Sequence, residues 1–194
     1  CLRTGKHLLL EKPMANSERE CLDLIAAAKA ADRTLMIAYC MRFHPLVVRM
    51  KELLDQRAYG ECFQVSIWTE QHTQFPPDHW ASRAATLGGG QFFSHGCHYI
   101  DLLLWFMGDP EQVYGEAVIL DHDIETEDLG MAILRYPGGA RGGIVGTTTF
   151  PASAYFSAEV HGSRGGVLID AALTGEARYY GDGVEQKLAT IDNP

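Results

Sequence analysis

Two residues of this 194-residue chain are best placed to do chemistry: Lys12, at the end of His7-Leu8-Leu9-Leu10-Glu11, and His98, at the head of an apolar stretch. The short apolar run reads as a buried parallel strand, and open α/β sheets bind ligands beyond the carboxyl ends of their strands. Lys12 can aim an ammonium at such a ligand, with Pro13 fixing the turn that aims it. The plainer alternative is a strand-end lysine in solvent. His98 lies in Gly88-Gly89-Gly90-Gln91-Phe92-Phe93-Ser94-His95-Gly96-Cys97-His98-Tyr99-Ile100-Asp101. Its three glycines let the backbone pass close to a ligand or another chain. Ser94 reads as the N-cap of the following helix, which puts His98 in the first turn. The positive end of a helix disfavours an imidazolium there, and a neutral imidazole suits a general base. The alternative is a packed structural histidine.

A metal reading competes, because His95, His98 and Asp101 recur every three residues. On a helix, however, the first and last of these point about 240° apart. His72, His79 and His122 are isolated, so no segment offers a matching ligand pair, and no metal is expected. A third segment, Tyr39-Cys40-Met41-Arg42-Phe43-His44-Pro45, leaves a second strand. Arg42 there could meet an anionic cofactor group or pair with a carboxylate between domains. Arg135, Arg141 and Arg164 read as solvated charges.

The elements that must position these residues fall into two textures. Up to about residue 40 the chain reads β-α-β. The first strand is followed by the capping-box signal Ser17…Glu20, then by a helix carrying Leu22, Ile25, Ala26 and Lys29. A second strand follows over Thr34–Tyr39. After Pro45 come a helix over Leu46–Leu54, a strand over Cys62–Gln71, a polar stretch into the glycine run, and a helix over Tyr99–Met107 closed by Gly108. From Val113 onward the spacing predicts strands and tight turns: Val113–Leu120, Leu129–Tyr136, Ala140–Phe150, Tyr155–His161, Val167–Ile169, Ala177–Tyr180 and Val184–Ala189. The fold class expected is α+β, an antiparallel open sheet with helices on one face, preceded by a βαβ unit.

Composition sets outer limits. Against 16 Lys and Arg stand 25 Asp and Glu, a net charge of −9 with no basic cluster, which argues against nucleic acid and anionic membrane as partners. The apolar run Leu102–Met107 is far short of the roughly 20 residues a membrane helix needs. The opening residues lack the pattern of a signal peptide. The five cysteines (1, 21, 40, 62, 97) have no C-x-x-C spacing and read as reduced thiols of a cytoplasmic protein. The chain opens at Cys1 and stops at Asp192-Asn193-Pro194, which reads as a piece of a longer protein.

In order and spacing, several segments together resemble the glucose–fructose oxidoreductase / inositol dehydrogenase (Gfo/Idh/MocA) family. They are Gly5–Pro13, Arg42-Phe43-His44-Pro45, Gly88–Asp101 with the apolar stretch to Gly108, Glu127-Asp128, and His161-Gly162-Ser163-Arg164-Gly165-Gly166. The resemblance implies an NAD(P)-dependent oxidoreductase of a sugar, polyol or related hydroxy/keto compound, with NAD or NADP as cofactor. It implies residues 1–43 as the last βαβ part of a Rossmann domain, and 44–194 as an α+β domain for substrate and oligomer contacts through its open sheet. Lys12 and His98 would then be catalytic, Glu11, Lys12, Pro13 and Arg42 would face the cofactor, and Lys12, Ser94 and His98 the substrate; Trp80, just upstream of the glycine run, reads as a wall of a sugar pocket or, more simply, as packing. Ser94 stands where the family pattern D-x-G-x-H commonly has Asp, keeping a capping role without the carboxylate. No G-x-G-x-x-G follows a strand, and Gly138-Gly139-Ala140-Arg141-Gly142-Gly143 reads as a hairpin turn, so this chain alone is not expected to bind a dinucleotide well. Two other readings stand beside the dehydrogenase: a non-catalytic binding or oligomerisation module, and an NAD-assisted glycosidase of the same family.

Overall fold

The computed structural model describes residues 1–149, 155–170, 176–181 and 184–190. Its first part is the expected βαβ unit. β1 (Leu8–Leu10) and β2 (Leu35–Ile37) pair in parallel, joined by α1 (Glu18–Ala30). The helix starts where the sequence marks it: the Ser17 hydroxyl accepts from Glu20 N at 3.3 Å, and the Glu20 carboxylate reaches back to Asn16 N at 3.2 Å. Both faces of the unit are open. Leu9 is 68% exposed, Leu22 and Met36 are exposed as well, and hollows of about 790 and 750 Å3 flank it.

A 3-10 turn at Cys40–Phe43 leads into α2 (Pro45–Asp55), whose proline at the first turn costs no intrahelical bond. After β3 (Cys62–Glu70) come the short helices α3 (Ala84–Leu87) and α4 (Gln91–Ser94), then α5 (Cys97–Met107). The remaining strands are β4 (Gln112–Val118), β5 (Leu129–Arg135), β6 (Arg141–Thr147), β7 (Tyr155–Gly162), β8 (Gly165–Asp170), β9 (Glu176–Gly181) and β10 (Val184–Thr190). Phe150, the last residue of one expected strand, lies outside the described residues, as do Asp182 and Gly183 of one expected turn and the final Asp192-Asn193-Pro194.

These eight strands form one open sheet in the order β10-β9-β8-β7-β3-β6-β5-β4. Every pair is antiparallel except one: β3 runs parallel to β6, from Gln64 opposite Arg141 to Glu70 opposite Thr147. The chain reaches that arrangement because β6 and β7, consecutive in sequence, lie on opposite sides of β3. On the inner face, Val65 and Ile67 of β3, Leu134, Ile144, Ala158, Val160, Val167 and Ile169 pack with Leu46, Met50, Leu102 and Leu103 of α2 and α5. A register shift between Cys62 and Gln64 turns Phe63 outward while Cys62 stays against the core. The outer face is uncovered and apolar: Ile133 is 60% exposed, with Phe63, Trp68, Tyr114 and Met131 also open.

Candidate active site around Lys12 and His98

Glu11, Lys12 and Pro13 leave the carboxyl end of β1, and the Lys12–Pro13 peptide bond is cis. The Lys12 ammonium donates to the Ser94 carbonyl at 2.7 Å, joining segments 82 residues apart. His98 is the second residue of α5 and only 7% exposed. Its ring meets Tyr39 edge-on at 6.1 Å and His95 at 6.3 Å between centroids. Its Nδ1 is buried without a hydrogen-bond partner.

Burial first, then the Lys12 ammonium, holds the His98 imidazole below its ordinary value, while Asp101 and Glu11 pull the other way and are outweighed. His95 is pushed down to about 4, by burial, then Lys12, then His98. Both rings are therefore neutral at neutral pH. The lowering of His98 has the direction expected from the sequence, with burial and then Lys12 as its causes. Burial also raises the Cys97 thiol, and raises the Tyr39 phenol together with Cys97 and Asp101.

The glycine run is fixed from a distance. The Glu127 carboxylate accepts from Gly90 N at 2.8 Å and Phe92 N at 3.1 Å, capping the start of α4. A Cβ on Gly90 would lie 2.0 Å from the Glu127 carbonyl oxygen, so this close approach requires glycine. The next residue, Asp128, is 0% exposed and accepts from the backbone N–H groups of Leu120, Asp121 and His122 at 2.9–3.1 Å. Burial raises its carboxyl, but those backbone bonds and the His122 ring outweigh it and leave the value lowered.

Lys12, His98 and Ser94 are thus brought together, with Glu11 and Pro13 flanking Lys12. Pro13, Tyr39, Cys97 and Asp101 line a cavity of about 520 Å3. Ser94 is not the cap of the long helix. It ends α4, its hydroxyl donates to the Gly90 carbonyl at 2.7 Å, and Gly96 caps α5 without a side chain. What Ser94 offers Lys12 is its carbonyl. The Arg42 guanidinium takes both Asp101 oxygens at 2.6 and 2.7 Å. Trp80 is 59% exposed, its ring tilted against His79 at 5.5 Å. Among the described residues no group of three or more His, Cys, Asp or Glu is arranged to hold a metal ion, and no helix is long and apolar enough to cross a membrane.

Sequence reasoning missed His95 as a neighbour of Lys12 and Tyr39 beside His98, and it singled out Glu127 without its bonds to the glycine run. Only His95, three residues before His98, carried a local signal, and its spacing pointed to a metal instead.

Comparison with known proteins gives the family and the fold. A model of the GFO/IDH/MocA C-terminal domain matches residues 47–168. Trans-1,2-dihydrobenzene-1,2-diol dehydrogenase of Xenopus laevis is 33% identical over 142 residues, 71% of this chain and 41% of that protein. The WlbA dehydrogenase from Bordetella pertussis, solved in complex with NADH and UDP-GlcNAcA, has a TM-score of 0.86 at 26% identity, over 93% of this chain and 54% of that one. Levoglucosan dehydrogenase, solved with NADH and L-sorbose, shares the fold with a TM-score of 0.89 at 20% identity, over 97% of this chain and 56% of that one. The chain spans about half the length of these proteins. With the family model covering most of its length, this chain belongs to the Gfo/Idh/MocA family.

Proposed function

We propose that the chain carries the substrate domain (44–194) and the last βαβ part of the nucleotide-binding domain (1–43) of a cytoplasmic NAD(P)-dependent oxidoreductase. Its substrate class is a sugar, polyol or related hydroxy/keto compound. One observation carries this reading: an ammonium held at the end of a parallel strand, next to a buried and neutral imidazole. The relatives' complexes with NADH and sugar-like ligands support it.

The residues present fit the reactive end of the cofactor, because Glu11, Lys12 and Pro13 stand beyond the carboxyl end of β1, where such sheets take their ligands. Bound there, NAD or NADP supplies the acceptor or donor of hydride. The chain's own residues handle the proton and the charge. With Nδ1 of His98 sealed off, Nε2 is the nitrogen that accepts the substrate hydroxyl proton in alcohol oxidation and returns it in the reverse direction. Lys12 turns its ammonium on the developing alkoxide, using donors left beyond its bond to Ser94.

Lys12→Met and His98→Asn, made in the chain joined to its nucleotide-binding part, are expected to lower turnover by about 10²–10⁴-fold each. Melting temperature should stay near wild type in both, and NADH binding in His98→Asn. Full turnover in either variant would remove that residue from the reaction. The uncovered apolar outer face of the sheet further supports a homo-oligomer. Ile133→Glu is expected to shift sedimentation to a smaller species; an unchanged species would place the contact elsewhere.

A further inference from the structure

We propose that Arg42 is a positioning residue of this site: by taking both carboxylate oxygens of Asp101 it fixes α5 against the Cys40–Phe43 turn and keeps that carboxylate off the His98 ring. The inference rests on the reading of His98 as the acid/base group. Its geometry is independent of that reading. The pair is bidentate at 2.6 and 2.7 Å and spans 59 residues of sequence. The guanidinium also lies over the Trp105 ring, 5.2 Å from its centroid. Both Asp101 and Trp105 belong to α5, four residues apart and so on one face of it. One arginine therefore grips the helix that carries His98 at two points, through a planar fork that a lysine cannot reproduce.

Asp101 follows His98 by three residues, which on a helix sets their Cβ atoms about 5–6 Å apart. A carboxylate that close, if unpaired, would favour the charged imidazolium. The groups acting on His98 can be named from each side. Lys12 and Glu11 come from the end of β1, the Tyr39 ring from the exit of β2, and His95, Tyr99 and Asp101 from its own stretch. Asp101 and Glu11 both favour imidazolium, and Arg42 neutralises the first of them. An arginine that need not touch substrate or cofactor thus adds to burial and Lys12 in favouring the neutral base.

The test is an NMR titration of the His98 ring in the 194-residue chain, with neither cofactor nor substrate present. Arg42→Gln is expected to raise the His98 midpoint by about one pH unit, and Asp101→Asn to lower it. The double variant, with neither charge, should return near wild type. Arg42→Lys keeps the charge without the fork and should fall between wild type and Arg42→Gln, and it carries the comparison if Arg42→Gln does not fold. A His98 midpoint unmoved in natively folded Arg42→Gln or Arg42→Lys would overturn the proposal, as would a double variant that tracks Arg42→Gln. Because no turnover is measured, the proposal can fail while His98 remains the base. Equally, loss of the dehydrogenase reading would leave the titration result standing.

Discussion

The fold treats the adjacent carboxylates of Glu127 and Asp128 and the neighbouring imidazoles of His95 and His98 in opposite ways. Glu127 closes the glycine-rich stretch from outside by accepting two backbone N–H groups, and Asp128 accepts three more from the segment that leads to it. At Asp128 those backbone bonds outweigh burial and hold the acid charged. The histidines are buried beside an ammonium instead, and His98 keeps a ring nitrogen without any partner. A buried polar group left unpaired costs free energy. The scaffold carboxylates recover that cost through backbone donors, whereas His98 leaves it unrecovered at Nδ1 and keeps Nε2 to trade a proton. Loss of the Asp128 carboxylate should therefore destabilise the fold, and loss of His98 should inactivate.

The largest expected effect tests the first half of that contrast. Asp128→Ala strands three backbone donors and should cost about 3–5 kcal/mol in chemical denaturation. Because its carboxyl is lowered in the fold, its contribution is complete above the ordinary value of 3.8 and is lost as pH falls through the folded value. The wild-type chain should therefore lose stability in that acid range more steeply than the variant. Equal stability of the two proteins at neutral pH would break the contrast.

A smaller effect sharpens the second half. His95 is held near 4, against an ordinary 6.5, so its neutral form contributes stability that is complete above 6.5 and drains away as pH falls toward 4. Melting temperature followed from pH 7 to 4 should fall less in His95→Gln than in wild type. Parallel curves would mean that His95 titrates normally.

Much of this architecture was legible because it is local. Ser17 and Glu20 mark the start of α1, Gly108 the end of α5, and Pro137-Gly138-Gly139 the turn into β6, since each acts on the backbone within a few residues. The parallel pairing of β3 with β6 was not legible. Strand spacing announces hairpins but does not say which older strand is inserted between two younger ones. Ser94 misled for a related reason. A serine before an apolar run is a sound capping signal, yet Glu127 starts a helix early at Gly90, and the chain breaks at His95-Gly96 before α5 begins. Lys12 and His98 were found by their place on elements. Their supports, the Ser94 carbonyl and the Arg42–Asp101 pair, are tertiary contacts across 82 and 59 residues that no short pattern encodes.

The most direct test of His98 as a neutral base is the pH dependence of kcat/KM for alcohol oxidation, measured with the chain joined to its nucleotide-binding part. In wild type the acid limb should fall through a midpoint below the ordinary imidazole value of 6.5, as expected for a base lowered by burial and Lys12. In His98→Asn the residual activity should lack that limb. An acid limb that survives the substitution at the same midpoint would contradict the account.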